Sequence, residues 1–487
     1  MRLSSLAAGV PGATVGAGGA YDVRRVVSDS RRAGPGDLFV AVRGLRVDGH
    51  EFAAAAAAKG AAVALERPLP LAAGAAWLRL PDSRRALGEL AAELHGRPAR
   101  RLLVIGVTGT AGKSTTTHMA AHVLESAGTR AGYLSTVALH AGDAASDNGS
   151  GQSTMEAPDV QGWLARMAAA GARAAVIEAT SHGLEQGRLS GCEFDVAAFT
   201  NVGADHLDYH GTPAAYLRAK ARLIELCGAA ADKGVPKTAV LNRDDASYEA
   251  LAAYPAARRL SFGIDGPADV RAVDLSGSSF RLVAAGGSAP VRVALPARFN
   301  VANALCAAAA CLALGLRVEQ VAAGLSSFPG LRGHLEAVDM GQPFRVYVDF
   351  AHSAVGLATV LEALRPRHGG RLLAVFGATA RADHDRPGMG RAAARHADFF
   401  VVTTDDPVAE DPAELARQVE AGAGAADHEV VLDRRAAIRR ALALAGPGDV
   451  VVLAGKGHER TMILAGGAEP WDERAEAEAA LRDLGYP

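Results

Sequence analysis

Cysteine is scarce. The 487-residue chain has four (Cys192, Cys227, Cys306 and Cys311), with no CxxC pair and no metal-ligand spacing. That excludes a disulfide scaffold and a cysteine-held metal, and it points to a reducing compartment. A surplus of either charge is missing as well. The 51 basic and 53 acidic side chains leave a formal net charge of −2 and an isoelectric point near 6.7. A general polyanion binder or membrane-surface protein needs a strong basic field, so no nucleic-acid and no membrane partner is expected. Long apolar runs are absent: the longest, Ala304–Leu316, has 13 residues and is too short to span a bilayer. The N-terminus has no basic stretch followed by a continuous apolar one, so no signal peptide is read and a cytoplasmic location is expected. Lysine is the last scarcity. Six of the basic residues are lysine (Lys59, Lys113, Lys220, Lys233, Lys237 and Lys456) and the rest are arginine. Where arginine serves wherever charge alone suffices, a retained lysine marks a place that wants a compact ammonium or an amine able to lose its proton.

What is present is ordinary for a protein with a large core: 49% hydrophobic and 21% charged residues. At roughly 100–200 residues per domain, three domains are the central expectation. The Gly- and Pro-containing stretch His95–Pro98 and the segment Phe328-Pro329-Gly330 punctuate the chain. The expected domains are therefore 1–98, 99–329 and 330–487. The first has strand signals at Leu38–Val42 and Ala62–Leu65 and an Ala-rich helix, Glu51–Lys59. The second opens with a buried strand, Leu102–Val107, a glycine turn and a helix to about Ala127. Strands at Ala174–Ile177, Val196–Thr200 and Thr238–Leu241 follow, then short antiparallel strands over 260–295 and a buried helix over 300–316. The third has apolar strands at Phe344–Val348, Leu372–Phe376, Phe399–Val402 and Val450–Leu453. Strands alternating with helices predict an α/β protein with mostly parallel sheets covered on both faces. No internal repeat and no long low-complexity tail is found.

The strongest local signal is the run from Gly106 to Ser114, GVTGTAGKS. A glycine-rich turn between strand and helix aims backbone N–H groups at phosphate oxygens. Lys113 adds charge, and the Ser114 hydroxyl can reach Mg²⁺. The spacing is not the usual GxxxxGK[ST]; the working core is Gly109-Thr110-Ala111-Gly112-Lys113-Ser114, with Thr115 next. Glu178 ends an apolar strand, where ligands bind in open α/β sheets, and Mg²⁺ prefers carboxylates alongside phosphates. Read alone, it is equally a solvated strand end. Asp205-His206-Leu207-Asp208-Tyr209-His210 concentrates acids and imidazoles, although a polar loop explains it too. Lys220, on a helix, reads by itself as a surface residue, and Cys306 and Cys311 as small core residues. Strands run into Asp349 and His352 and into Gly455-Lys456-Gly457-His458-Glu459, where glycines admit close backbone approach and polar groups offer contacts.

Taken in order, these motifs resemble the Mur ligase family, closest to its MurE-type members, ATP-dependent UDP-N-acetylmuramoyl-dipeptide:amino-acid ligases. The resemblance covers nearly the whole chain. It rests on SDSR (28–31), PGDLF (35–39), DGH (48–50), GVTGTAGKST (106–115), EATSHGLEQGR (178–188), DHLDYHG (205–211), AKARL (219–223), RFNVANAL (298–305), VDFAH (348–352) and AGKGHE (454–459). It implies a three-domain architecture: an N-terminal UDP-sugar-binding domain, a central P-loop-type parallel-sheet domain and a C-terminal Rossmann-like domain. Lys113, Gly109, Thr110, Gly112, Ser114 and Thr115 would hold ATP phosphates, and Asn300, Asn303 and Asp349 would contact the nucleotide. Ser114 and Glu178 would bind one Mg²⁺ and His206 a second metal. Lys220 falls on the family's carboxylated lysine, an amine that CO₂ converts to a metal-bridging anion. Ser30, Thr154, Thr180 and Arg188 match positions for the UDP-sugar and its acyl tail. His352, Asp405, Asp406, Gly455 and Glu459 complete the substrate set. Lys113, Lys220, His206 and Glu178 are the expected catalytic residues. The implied reaction passes the ATP γ-phosphoryl group to a carboxylate of UDP-N-acetylmuramoyl-L-Ala-D-Glu. An amino acid's amine then attacks the acyl phosphate. Small-molecule substrates and a monomer are expected.

Several positions depart from the family pattern. Asp405-Asp406-Pro407-Val408 stands where diaminopimelate-adding members have DNPR. Losing that arginine removes a bidentate carboxylate clamp of about 1.5–3 kcal/mol, which disfavours meso-diaminopimelate. Glu459, matching a side-chain-amine contact, keeps lysine or ornithine open. Ala111 stands for Asn, Gly203-Ala204 for Ser-Arg, Met155 for Pro, His334 for Arg and Ala354-Val355 for Pro-Asp, while Thr379–Pro387 departs from GDRDxGKRP. The changes gather where the third domain is expected to close over ATP and amino acid. The alternative is a MurE-derived amide ligase using another carboxylate and amine pair in specialised metabolism. A scaffold paralogue is disfavoured by the intact phosphate and metal residues, and a folate-type polyglutamate ligase by the first domain.

Overall fold

Gly106 decides the middle of the larger sheet. It lies in the strand Leu103–Thr108, where a Cβ would fall 2.6 Å from Leu223 Cδ1 and 2.9 Å from the Phe194 ring, so only glycine lets those side chains close on the strand. In this computed structural model the described residues are 1–44, 47–142, 145–203, 205–365, 369–380 and 385–487. Ala204 and Arg381–His384, parts of two departures from the family pattern, lie outside them.

The chain divides into two units: Met1–Arg292 with Val301–Phe328, and Val293–Asn300 with Pro329–Pro487. The first holds two sheets. Its N-terminal sheet has five strands in the order Thr14–Ala17, Trp77–Arg79, Ala62–Leu65, Asp37–Val40, Arg25–Val27. Apolar side chains such as Leu38 and Leu78 fill one face, and Phe39 and Val63 the other. The helical segment of this region opens as a tight turn, Gly49–Phe52, capped by Asp48, and becomes α-helix only over Ala53–Ala58.

The second sheet has 11 strands. Leu103–Thr108 pairs in parallel with Ala174–Glu178 on one side and Val196–Phe199 on the other. Beyond these lie Ala131–Leu134 and Thr238–Asn242, also parallel. The strand after Leu103–Thr108 in the chain is thus not its neighbour; two later strands flank it instead, and their C-terminal ends lie side by side with its own, the position where open α/β sheets bind ligands. Within 260–295, Val270–Ser276, Ser279–Ala284 and Gly287–Arg292 form the antiparallel ladder expected. Arg258–Gly263 corrects that reading, since it runs parallel to Thr238–Asn242 and extends the main sheet. At the opposite, N-terminal end of Val196–Phe199, Asp195 is fully buried. Lys233 Nζ at 2.6 Å, Lys237 Nζ at 2.7 Å and the Val104 amide at 2.7 Å hold its carboxylate.

The second unit is built on six strands in the order Glu336–Val338, Arg345–Asp349, Val450–Ala454, Leu372–Ala378, Phe399–Thr404, His428–Val430. All pairs are parallel except the first. The four apolar strands read from sequence form its centre. The outer two have three residues each and carry polar side chains, too short for a periodic signal. Helices cover both faces, burying Leu357, Phe376 and Phe400 on one side and Ile438, Leu453 and Leu481 on the other. A hairpin, Thr461–Leu464 with Gly467–Pro470, stands apart from the sheet.

Candidate active site

The loop after Leu103–Thr108 turns on two glycines. Gly112, at φ +81°, opens the helix Lys113–Ser126, and a Cβ there would lie 2.1 Å from Asn303 Oδ1. At Gly109, φ +156°, a Cβ would fall 1.8 Å from Thr200 Oγ1. The loop is braced from the neighbouring strand end: Asn201 Oδ1 accepts from the Ala111 amide at 3.0 Å, and Thr200 Oγ1 donates to Ala111 O at 2.6 Å. Lys113 Nζ donates to Thr110 O at 3.1 Å, and Thr115 is buried on the helix. A helix N-terminus behind left-handed glycines presents backbone N–H groups and a positive dipole end, which suit a phosphate chain.

Glu178 sits at the end of the adjacent strand, buried, and gathers several donors. Ser114 Oγ donates to its Oε2 at 2.9 Å, the Thr136 amide to the same oxygen at 2.9 Å and Thr136 Oγ1 to Oε1 at 3.0 Å. Its backbone carbonyl accepts from Thr154 Oγ1 at 2.9 Å. Thr154 in turn accepts from the Thr180 amide and hydroxyl, both at 3.0 Å. Arg188 donates to Thr154 O and Gln152 Oε1 at 2.8 Å and stands 3.3 Å from Glu156. Five of the sequence-read residues, Ser114, Thr154, Glu178, Thr180 and Arg188, thus form one connected network.

Lys220 corrects the surface reading that its position on a helix gives when taken alone. Its side chain is 1% exposed; Nζ donates to Gly109 O at 2.7 Å and lies 4.4 Å over the Tyr216 ring. Burial, with Lys113 nearby, holds its amine well below the ordinary lysine range, against the pull of Asp205 and Glu178. A buried amine that readily sheds its proton is the nucleophilic form. Tyr216 also reaches Thr110 Oγ1 at 3.2 Å. Close by, the His182 ring packs edge-on against His206 at 4.7 Å and tilted against Tyr209 at 4.3 Å and His210 at 5.4 Å. Burial first, then His206 and His210, pulls its pKa down to about 4. His206 itself has φ +51° and is partly exposed, 3.6 Å from Asp205. Ser30 stands elsewhere, its carbonyl accepting from Lys59 Nζ at 3.1 Å.

In the second unit, strand ends again carry the polar groups. Asp349 is buried, accepting from the Leu335 amide and the Ala351 amide at 2.8 Å each. Burial raises its carboxyl, with His334 opposing. Phe350 packs between His352 at 4.5 Å and His458 at 4.6 Å. Asn300 Nδ2 donates to Pro296 O at 2.8 Å. Asp405 follows the strand Phe399–Thr404 and is buried where two glycines make room. A Cβ at Gly377 would lie 2.8 Å from its Cβ, and one at Gly455, φ +111°, 2.2 Å from its Oδ2. That oxygen has no hydrogen-bond partner among the described residues, and burial pushes the carboxyl up to about 7. Asp406 at φ +39° and Val408 at φ +54° both adopt left-handed backbone. This is tolerable for Asp but strained for a β-branched residue. The Val408 amide pairs with Ile463 O at 3.0 Å, and both side chains are exposed. Lys456 Nζ lies 2.8 Å from Asp406 and 2.6 Å from Glu459.

Sequence reasoning missed Thr136, Tyr216, Asn201 and Arg434. Arg434 is buried against Glu473 at 2.7 Å and donates to Ala454 O and Thr404 O at two strand ends. None carries a local motif. Lys456 was visible as part of AGKGHE, without its role.

Comparison with known proteins gives the same picture throughout the chain. Residues 22–95 match the Mur ligase family, catalytic domain; residues 107–311 match the Mur ligase middle domain; residues 333–457 match the Mur ligase, glutamate ligase domain. A UDP-N-acetylmuramyl-tripeptide synthetase of Roseiflexus sp. is 43% identical, with 96% of each chain covered. A UDP-N-acetylmuramoyl-L-alanyl-D-glutamate--2,6-diaminopimelate ligase of Geobacillus kaustophilus is 40% identical, with 100% of each covered. A solved UDP-N-acetylmuramoyl-L-alanyl-D-glutamate--2,6-diaminopimelate ligase superposes with a TM-score of 0.71 at 30% identity over 100% of both chains.

Proposed function

This chain belongs to the Mur ligase family, and we propose that within it the protein joins a basic amino acid to UDP-N-acetylmuramoyl-L-alanyl-D-glutamate. It is an ATP-dependent acid–amino-acid ligase of the MurE type. The observation that carries the reading is the convergence of Ser114, Glu178 and Lys220 beside the Gly109–Gly112 loop at adjoining strand ends.

The loop fits a phosphate chain, since Gly109 and Gly112 take left-handed backbone just ahead of the helix Lys113–Ser126 and leave its N-terminal amides uncovered by a Cβ. The Ser114 hydroxyl and Glu178 carboxylate are hard oxygen donors that fit Mg²⁺. Lys220, carboxylated by CO₂ with loss of a proton, and His206 would complete the metal ligands. When bound, Mg²⁺ supplies charge neutralisation on the transferring phosphoryl group. Lys113 and the loop amides hold the ATP phosphates, with Thr110 and Thr115 beside them and Asn300, Asn303 and Asp349 toward the nucleotide. Arg188, held by Thr154 O and Gln152, orients the glutamyl carboxylate with Thr154 and Thr180. Ser30 serves the UDP-sugar. The carboxylate attacks the γ-phosphorus and ADP leaves; the acceptor amine then attacks the acyl carbon, phosphate leaves, and the amine gives up a proton. His352, Asp405, Asp406, Gly455 and Glu459 are the acceptor side. Domains 1–98, 99–329 and 330–487 take the UDP-sugar, the ATP and the acceptor chemistry respectively.

Val408 favours lysine or ornithine over meso-diaminopimelate, because no guanidinium stands there for a distal carboxylate. The same substitution, with exposed Val355 at the head of the helix Ala354–Leu364, favours the second reading, another amine on another carboxylate. ATP-dependent phosphate release with UDP-N-acetylmuramoyl-L-alanyl-D-glutamate separates them. The panel holds lysine, ornithine, meso-diaminopimelate and neutral amino acids. Release with a diamine supports the first reading; silence across the panel with ATP still bound supports the second.

A further inference from the structure

The side chain of Lys456 is completely buried at the mouth of an acidic cluster. Its Nζ lies 2.6 Å from Glu459 Oε2, 2.8 Å from Asp406 Oδ1 and 3.9 Å from Asp405 Oδ1. The three carboxylates offer oxygens within 4.8 Å of one another. Arg434, the other cation nearby, is committed to Glu473, which also accepts from Trp471 Nε1 at 2.7 Å. Arg434 also draws on Asp405 electrostatically, while Lys456 is the ammonium seated within reach of all three acids.

The two acids that Lys456 ties come from different segments. Asp406 lies on the left-handed turn after Phe399–Thr404, its Oδ1 also accepting from the Ile463 amide at 2.8 Å. Glu459 follows the strand Val450–Ala454 and is more exposed. Without a cation between them the two carboxylates repel, and Glu459 is the more exposed of the pair. Burial opposes a charge on Lys456, but Asp405, Glu459 and Asp406 together outweigh it and raise its pKa above the ordinary value. An arginine fork is planar and larger. A compact ammonium meets two oxygens at 2.6 and 2.8 Å in a fully enclosed place, which accounts for a lysine here in an arginine-rich chain.

We infer that Lys456 is a positioning residue of the acceptor site, holding Asp406 and Glu459 together so that they receive the cationic end of the incoming amino acid as a pair. The inference rests on the acceptor reading given under Proposed function. Its signature is selective: loss of the ammonium raises KM for a diamino acid and leaves the ATP and UDP-substrate sides alone.

The test uses the full-length protein and its Lys456→Met and Lys456→Gln variants, with phosphate release measured against lysine, ATP and UDP-N-acetylmuramoyl-L-alanyl-D-glutamate in turn. The expected result is a rise of at least tenfold in KM for lysine in both variants, with KM for ATP and for the UDP-substrate within twofold of wild type. An unchanged KM for lysine, or a fall in kcat alone, overturns the inference. Lys456→Gln keeps a donor without charge, so it gives the answer if the methionine variant fails to fold. If wild type itself is silent with this UDP-substrate, it is the functional reading that fails. Calorimetric binding of lysine to the ADP-loaded proteins then decides: weaker binding by the variants supports the positioning role, and equal binding overturns it.

Discussion

Replacing Gly112 by alanine isolates the phosphate loop. Two effects add. At φ +81° an L-residue bears strain of about 1 kcal/mol relative to glycine. The new methyl would also lie 2.1 Å from Asn303 Oδ1 and 2.9 Å from its Cγ, so the buried amide must move by more than an ångström. Displacing a buried hydrogen-bonding amide costs about 1–3 kcal/mol. The first effect belongs to stability. The second acts where the ATP phosphates are proposed to sit and translates to an expected rise of roughly 5- to 150-fold in KM for ATP. Gly128→Ala is the control. Gly128 has φ +84° and nothing within 4 Å of its Cβ position, so it takes the strain without the collision. Steady-state ADP release gives KM for ATP, and thermal melting with and without ADP gives the stability side. Gly112→Ala should lose most of the ADP-induced rise in melting temperature, whereas Gly128→Ala should keep it. Equal KM values for ATP in the two variants would refute the reasoning.

Other consequences are as direct. Glu178→Gln, which removes the carboxylate facing Ser114 and Thr136, should lower kcat by at least about a hundredfold and shift the Mg²⁺ dependence to higher concentration. A magnesium titration of activity reads both. Lys220→Ala should abolish turnover with bicarbonate unable to restore it, while wild-type enzyme in CO₂-free buffer should slow and recover on bicarbonate addition. Retained activity in the variant would remove the carboxylated-lysine role. Asp405 has a folded-state pKa near 7 against an unfolded value near 3.9, so the folded form binds the extra proton. Stability should therefore rise as pH falls from above 7 toward 4, and Asp405→Asn should flatten that slope in melting curves, although global acid unfolding sets in at the low end. Val408→Arg should raise kcat/KM for meso-diaminopimelate by roughly ten- to a hundredfold relative to lysine, measured by competition between the two.

Much of the fold is legible because it is periodic. Buried strands such as Ala174–Glu178 and Val450–Ala454 are continuous apolar runs, and Gly109–Ser114 is a contiguous motif. The three-residue strands Glu336–Val338 and His428–Val430 are not, because neither is long enough to show alternation and both owe their state to neighbours already in the sheet. In the site, Glu178 and Ser114 could be read singly. Thr136 and Tyr216 could not, since what recruits them is register between strand ends far apart in sequence. The scarcity of lysine was informative beyond its first use. Lys220 and Lys456 are enclosed at candidate sites, but Lys233 and Lys237 are also largely covered, around Asp195, where a compact ammonium serves the structure.

The left-handed backbone at Val408 bears on how readily this turn can be changed. A valine held at φ +54° is strained by about 1–2 kcal/mol, and glycine, a single base change away, would relieve it. The exposed side chain gains little from burial to set against that strain. The turn can therefore shed the strain, or present another group, with the strand Phe399–Thr404 beneath it left as it is.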